Sequence, residues 1–238
     1  MKFNWNYIKF FSGLFLIIVL FSFTNERNNR RKLSTMDIDF VEGNNDFITY
    51  PMVNKLLIQN EDTLINVAKE NLALGKLENT LNTNEMIQEA HVYLTVNGKL
   101  GAKIKQRRPI ARVHGKEPFY IDAEGKWMPL SPVYSARVPL ITGTIDKNKL
   151  DDVFALSQFI EQDDFLNKNI VGVHKRGNKF ELKLRIDDFI VLLGDVDQME
   201  RKFRNFKAFY QKSQKDKTLA QYSIVNLQYN NQVVCTKK

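Results

Sequence analysis

Hydrophobic residues recur along the chain with two periods, and each period predicts one kind of element. A period of two is typical of a half-buried strand, and it is clearest at Phe180, Leu182, Leu184 and Ile186. A period near 3.6 predicts a helix with one apolar face, here formed by Val196, Met199, Phe203, Phe206 and Tyr210. Because both patterns occur along the chain, we predict an α+β fold.

An apolar run from Phe10 to Phe23 dominates the N-terminus, which reads MKFNWNYIKFFSGLFLIIVLFSFTNERNNRRK. With Ile8 included, the run would span roughly 24 Å as a helix, against a hydrocarbon core of about 30 Å. Trp5 and Tyr7 suit the membrane interface, so we predict a single N-terminal transmembrane helix over this run. The alternative is a cleaved signal peptide, but FSFTNERNN offers no small-x-small cleavage site.

The charges around this run give conflicting signals about its orientation. Basic residues are more numerous after the run than before it, which by the positive-inside rule favours a cytoplasmic location for the C-terminal side. An apolar segment this close to the start is also typical of a signal anchor, whose short basic tail stays inside while a long domain is exported. Charge alone therefore leaves the orientation open.

The net charge of +8 raises the question of nucleic-acid binding. Residues 1–32 hold six basic residues and one acidic residue, so +5 of this charge lies there and +3 on the rest of the chain. A net charge of that size is ordinary for a mixed surface and requires no phosphate-binding groove. We therefore predict no nucleic-acid partner.

Residues that could support catalysis or metal binding are few and far apart. His91, His114 and His174 have no metal-ligand spacing, and the one cysteine, Cys235, excludes an intrachain disulfide. Neither a phosphate-binding glycine loop nor a G-x-S-x-G elbow occurs. We therefore predict a protein that is not an enzyme, with no catalytic residues, no metal site, no cofactor and no small-molecule substrate.

The chain after residue 32 begins with a strand, two helices and a hairpin. MDIDF alternates apolar and acidic residues, Thr49 and Pro51 mark a helix start, and LGKLENTLN places leucines at helical spacing. In AHVYLTVNGKLGAKIKQ, Asn97 and Gly98 supply the positive φ values of a type I′ turn between two strands. The order strand, helix, helix, strand, strand resembles that of a POTRA domain.

The second half of the chain predicts further helices, strands and a terminal hairpin. Asp195 is the predicted N-cap of a helix, with Gln198 three residues later in a variant of the capping box. That helix carries a basic face, which is usually solvated and could also contact an acidic partner. The face consists of Arg201, Lys202, Arg204 and Lys207. SIVNLQY and QVVC are predicted to pair around a turn at Asn230 and Asn231.

The stretch QRRPIARVHGKEPFYIDAEGKWMPLS joins the two halves. Pro109 lacks a backbone N–H, so the preceding ladder is predicted to end or become an edge there. YIDAEG predicts a strand and a turn in which Gly125 takes a positive φ and Asp122 accepts hydrogen bonds from nearby amides. A catalytic or metal-binding role for Asp122 and Glu124 is disfavoured, because no His, Cys or third carboxylate flanks them.

The region from Glu89 to Leu130, with NGKL, IKQRRPIAR and YIDAEGKWMPLS, resembles the bacterial cell-division family FtsQ/DivIB. The resemblance implies three parts. Residues 1–32 would form a cytoplasmic tail, a transmembrane helix and a basic linker, residues 33–108 a POTRA domain, and residues 109–238 an FtsQ-type β domain with flanking helices. It also implies a single-pass inner-membrane protein with a cytoplasmic N-terminus and most of its chain in the periplasm.

The resemblance further implies a non-enzymatic scaffold of the divisome that acts during septum formation. In this family the partners are the coiled-coil membrane proteins FtsB (DivIC) and FtsL. The FtsB-like partner adds a strand to the open edge of the final strand. The residues that match this region are Tyr229, Asn231, Gln232, Val233 and Val234. The alternative is that Tyr229 and the two valines fill the β core.

Two positions depart from the family pattern, since Gln228 and Asp195 stand where basic residues can occur. The positive charge that meets an acidic partner is therefore predicted to lie at Arg201, Arg204 or Lys207. Two other functions stay open. One is an anchored periplasmic ligand-binding or enzymatic domain, which a deep apolar pocket would favour. The other is a POTRA-type assembly or secretion factor.

Overall fold

The computed structural model describes residues 5–29, 36–41, 46–58, 74–95, 99–230 and 232–238. The chain divides into two compact units, residues 1–106 and residues 107–238. The division falls at the RRPIA stretch, two residues before the boundary predicted after Arg108.

Helix α1 spans Trp5–Asn29, and its described side chains, from residue 9 to residue 24, are all exposed. Among the residues that the structure describes, no helix is long and apolar enough to cross a membrane. The prediction of a transmembrane helix over the run from Ile8 to Phe23 is not borne out by this finding.

The first unit also contains β1 (Met36–Phe40), α2 (Tyr50–Ile58), α3 (Leu74–Asn82), β2 (Ile87–Leu94) and β3 (Leu100–Gln106). This order confirms the predicted strand, helix, helix, strand, strand. The described strands form a sheet in the order β1-β3-β2, with β1 parallel and β2 antiparallel to β3. The predicted hairpin is the β2–β3 pair, but its turn at Asn97 and Gly98 lies outside the described residues.

Buried apolar residues from the helices and the sheet form the core of this unit. The helical residues at its centre are Val53, Leu57, Leu77 and Leu81. Gln106 connects the end of β3 to the start of α2, because its Oε1 accepts hydrogen bonds from the backbone N–H groups of Phe47 and Ile48 at 3.1 and 3.3 Å.

The second unit is built from nine strands and three α-helices within the described residues. Its strands are β4 (Pro109–Val113), β5 (Phe119–Asp122), β6 (Trp127–Met128), β7 (Leu140–Gly143), β8 (Ile170–Arg176), β9 (Lys179–Leu184), β10 (Ile190–Gly194), β11 (Tyr222–Asn226) and β12 (Val234–Lys237). Its α-helices are α4 (Asp151–Gln162), α5 (Asp164–Asn169) and α6 (Met199–Lys215). Together the two units confirm the α+β class.

All nine strands belong to one mixed sheet with the order β12-β11-β10-β9-β8-β7-β4-β5-β6. The helices pack their apolar faces into a single core with this sheet. Phe203 and Phe206 of α6 are buried as the helical spacing predicts, and the ring of Phe203 stacks on Phe159 of α4 with centroids 5.2 Å apart. The sheet order places β12 at one end, next to β11.

The sequence predictions for the end of β9 and for the start of α6 are wrong. Phe180, Leu182 and Leu184 are buried as predicted, but β9 ends at Leu184, and Ile186 lies beyond it with 79% of its surface exposed. Helix α6 begins at Met199, and the residue before it is Gln198 in the left-handed conformation, so Asp195 is not the N-cap. Asp195 instead accepts a hydrogen bond from Lys202 Nζ at 2.6 Å.

A hydrogen bond between α6 and the β9–β10 connection gives a testable pH dependence. The Tyr210 hydroxyl donates to Asp187 Oδ2 at 2.8 Å, and burial together with this bond raises the pKa of Tyr210 to about 12. Because the folded state holds this proton more tightly, its contribution to stability is present below pH 10 and is lost between about pH 10 and pH 12.

We expect the free energy of unfolding to fall more steeply over this pH range in the unsubstituted protein than in Tyr210→Phe. Denaturant titrations at several alkaline pH values measure this difference. Equal slopes for the two proteins would contradict the assignment of the alkaline loss to Tyr210.

Candidate partner-binding edge

Strand β12 is the last strand of the nine-stranded sheet, so one of its sides has no neighbouring strand among the described residues. On its other side it pairs antiparallel with β11, and the register runs from Asn226 opposite Val234 to Tyr222 opposite Lys237. The register shifts between Tyr222 and Ile224, which is the signature of a bulge on β11. Strand β12 itself runs through this pairing without a shift.

The backbone direction along β12 can be followed from its end. The N–H of Lys238 donates to the carbonyl of Gln221 at 2.8 Å, so the backbone N–H of Lys238 is directed towards β11. Successive residues of an antiparallel strand direct their N–H and C=O groups alternately towards and away from the partner strand. Lys237 and Cys235 therefore direct their N–H groups to the open side, and Val233 is next in the same alternation.

The predicted contact residues lie mainly in the loop before β12. Strand β11 ends at Asn226, so the predicted strand SIVNLQY stops three residues earlier than expected. Tyr229 and Gln232 are therefore loop residues, and Val234 begins β12. Asn231 lies outside the described residues.

Burial distinguishes the residues that could fill the core from those that could contact a partner. Tyr229 is 50% exposed and Val234 is 40% exposed, so neither fills the core of the β domain. Val233 and Cys235 are partly buried and pack against that core, and burial raises the pKa of the Cys235 thiol. The edge thus presents an exposed aromatic residue and an exposed valine beside outward-directed backbone groups.

The three basic candidates on α6 differ in their surroundings. Lys207 Nζ forms a short ion pair with Asp163 Oδ2, while Asp163 Oδ1 accepts from the N–H groups of Phe165 and Leu166 at the start of α5. Although burial raises the pKa of Asp163, these hydrogen bonds outweigh it and the pKa lies below its ordinary value. Lys207 thus connects α6 to α5, a role that sequence analysis missed although Asp163 precedes a helical pattern.

The other basic residues of α6 are also unlike one another. Arg204 is exposed, whereas the Nε atom of Arg201 is buried and has no hydrogen-bond partner among the described residues. Lys202 was predicted to lie on the solvated face, but its side chain is only 6% exposed and pairs with Asp195. This ion pair also lowers the pKa of Asp195. Of the four, Arg204 offers the most accessible positive charge.

A surface groove of about 440 Å³ lies beside α6. Phe159 and Phe203 form its apolar part, and Glu200, Arg204 and the Lys207–Asp163 pair supply charges of both signs. It is lined by residues of α4 and α6 and the junction between α4 and α5, and none of them belongs to β12. The groove and the open edge are therefore separate surfaces of the β domain.

The turn after β5 has the predicted structural role. Asp122 Oδ1 accepts hydrogen bonds from the N–H groups of Glu124 and Lys126 at 2.9 and 2.8 Å, and its Oδ2 accepts from Arg107 Nη1 at 2.7 Å. Gly125 has a φ of 80°, as predicted. No group of metal-ligating side chains occurs in the described part of the chain. Asp122 therefore stabilises the turn through its hydrogen bonds.

These observations define a two-domain α+β protein in which a small β-α-α-β-β unit precedes a larger β domain that ends in an open edge strand. Residues 36–105 match the POTRA-like domain. Residues 108–236 match the family described as FtsQ/DivIB, C-terminal related, and this match covers more than half of the chain. No curated protein matches the chain.

The chain therefore belongs to the FtsQ/DivIB family, as the resemblance of the RRPIAR and YIDAEG stretches indicated. Its two domains are those of a cell-division protein, and membership of the family implies a role in cell division with other division proteins as partners.

Proposed function

We propose that this protein is a non-enzymatic scaffold of the bacterial divisome that binds a partner by strand addition to β12. The single observation that carries this proposal is the open side of β12 at the end of the nine-stranded sheet. An unpaired edge offers a row of backbone donors and acceptors, which give affinity to an added strand. Side chains beside the edge then select the partner.

The side chains around β12 support this mode of binding. Tyr229 and Val234 are exposed at 50% and 40%, so an added strand could bury both of them. An exposed tyrosine is a good anchor, because it buries a large area at a small cost in side-chain entropy. Val233 and Cys235 face the core and hold the strand in place, while Gln232 is exposed and polar at the start of the contact.

The proposed partners are an FtsB/DivIC-like protein, which supplies the strand, and an FtsL-like protein associated with it. Family membership supports both choices. Arg204 is the candidate for an ionic contact with an acidic residue of the partner, because it is exposed on α6. Lys207 and Arg201 are weaker candidates, since Lys207 is already paired with Asp163 and Arg201 is partly buried.

Copurification from crosslinked cells tests the choice of partners. We expect the tagged full chain to recover two short coiled-coil membrane proteins, one like FtsB/DivIC and one like FtsL. The tagged chain carrying Tyr229→Ala should recover less of both, because the FtsL-like protein is recovered through the strand donor. Equal recovery with the two baits would place the contact elsewhere on the protein.

We also propose that both folded domains lie outside the cytoplasm, at the inner membrane. Family membership supports this location. Protease added to osmotically opened cells should then degrade the two domains while a cytoplasmic marker protein stays intact. Survival of the domains under conditions that degrade a known periplasmic protein would contradict this location.

A further inference from the structure

Strand β2 lies at one end of the three-stranded sheet, in the same kind of edge position as β12. Its outer side nevertheless differs from that of β12, because side chains of α3 occupy it. The N–H of Ala90 donates to Asn82 Oδ1 at 2.8 Å, and the Asn82 side-chain amide donates to the carbonyl of Ala90 at 3.2 Å. The N–H of Val92 donates to Glu78 Oε2 at 2.8 Å.

The Asn82 side chain reproduces the pairing that a neighbouring strand would make. In an antiparallel ladder, two residues that face each other across a hydrogen-bonded pair exchange both N–H···O bonds. Asn82 exchanges the same two bonds with Ala90. Glu78 then satisfies the next outward N–H along the strand, that of Val92. The two side chains thus occupy the positions that an incoming strand would need.

The spacing of the two side chains on α3 fits the spacing of the outward backbone groups on β2. Residues four apart on a helix lie on one face about 6 Å apart, and residues two apart on a strand are separated by about 6.6 Å and share one edge. Glu78 and Asn82 are four apart, and Ala90 and Val92 are two apart. Leu77 and Leu81 are fully buried and fix α3 so that the residue after each leucine reaches the edge.

The opposite edge of this sheet, β1, is protected in another way. It is five residues long, and Asp37 and Asp39 on it are both exposed. Two such strands from different copies of the chain would bring charges of the same sign together, which disfavours pairing. Strand β2 is eight residues long and carries one carboxylate, Glu89, whose Oε1 lies 3.0 Å from His91 Nε2, whereas the shorter β1 carries two carboxylates.

We propose that Glu78 and Asn82 form an edge lock, which prevents the β2 edge from accepting a strand from a second copy of the chain. Unprotected edges of this length invite edge-to-edge pairing between molecules. The lock leaves the fold of the unit intact, and its hydrogen bonds occupy the backbone groups that such pairing requires. This inference does not depend on the function proposed for β12, because it rests on the strand order and the side-chain contacts of the first unit.

The test compares the full chain with Glu78→Ala/Asn82→Ala and with a control on another face of the same helix, Lys76→Ala/Asn79→Ala. Both control residues are exposed. Hydrogen exchange at low protein concentration should show the Ala90 and Val92 amides exchanging about tenfold faster in the lock variant and unchanged in the control. Sedimentation should show concentration-dependent self-association of the lock variant beyond that of the unsubstituted chain.

At high protein concentration the same two amides should become protected again in the lock variant, because they then pair with a second copy. A purely local role for the two side chains would not produce this recovery. Faster exchange without added self-association, or unchanged exchange, would overturn the proposal. Since all variants keep β12 intact, association through that strand is common to them and does not affect the comparison.

A second pair of variants covers the case in which the double alanine variant fails to fold by circular dichroism. Asn82→Asp keeps an acceptor for Ala90 but places a carboxylate beside the Ala90 carbonyl, so it should weaken the lock and increase self-association. Glu78→Gln keeps an acceptor for Val92 and should behave like the unsubstituted chain. The proposal would be overturned if both variants self-associated to the same extent as the unsubstituted chain.

Discussion

Proline at Val233 is expected to weaken binding of the FtsB/DivIC-like partner by at least about tenfold while the β domain stays folded. The substitution removes one backbone N–H. Val233 directly precedes β12, and extending the alternation of the strand by one residue places this N–H on the open side. A hydrogen bond of this kind contributes about 1 kcal/mol, and the fixed φ of proline disturbs the approach of the added strand further. No bond within the β11–β12 ladder is lost.

Val233→Ala is the matched control, because it keeps the N–H and shortens only the side chain. It should bind the partner nearly as well as the unsubstituted protein, with a small loss of stability from the partly buried valine.

Tyr229→Ala should weaken binding by about 30-fold, because an anchoring tyrosine contributes about 2 kcal/mol. Full binding by folded Val233→Pro and Tyr229→Ala, measured by calorimetry, would move the interface away from β12.

Valine at Gly125 is expected to destabilise the β domain by about 1 to 3 kcal/mol. The φ of Gly125 is 80°, a conformation that a β-branched residue strongly disfavours. A Cβ at this position would also lie 3.1 Å from a ring carbon of Phe154, so the ring would have to shift. Denaturant unfolding monitored by circular dichroism measures the change in the free energy of unfolding.

Two controls separate strain at Gly125 from other effects of substitution in this region. Gly115→Val introduces the same side chain where a Cβ meets nothing within 4 Å, and it should change stability little. Glu124→Ala removes an exposed ion pair with Lys126, which is worth at most about 1 kcal/mol, and it keeps the backbone N–H bonded to Asp122. Loss of function in folded Glu124→Ala would reopen a chemical role for this turn.

Local patterns predicted the features that depend on neighbouring residues in the chain. The alternation around β2 and β3 gave their pairing, and the YIDAEG stretch gave both the positive φ of Gly125 and the amide contacts of Asp122. These features are set by backbone conformation and by contacts over a few residues. Such features can therefore be predicted from the local sequence.

The features that sequence analysis missed depend on contacts between elements. Lys202 has the helical position of a surface residue, but Asp195 lies close enough to pair with it in the folded chain. That pairing also occupies the side chain that was expected to cap α6. Glu78 and Asn82 fit an ordinary helix pattern, and only the position of β2 beside α3 shows what they bind. A one-dimensional period carries no information on such partners.

The most direct test of the central claim is hydrogen exchange of β12 in the free protein and in the complex with the FtsB/DivIC-like partner. Strand addition predicts that the amides of Cys235 and Lys237, which are directed to the open side, become strongly protected on binding. The amides of Val234 and Thr236 are directed towards β11 and should change little. Unchanged exchange at Cys235 and Lys237 in a saturated complex, with new protection confined to α6 or to the first unit, would contradict the account.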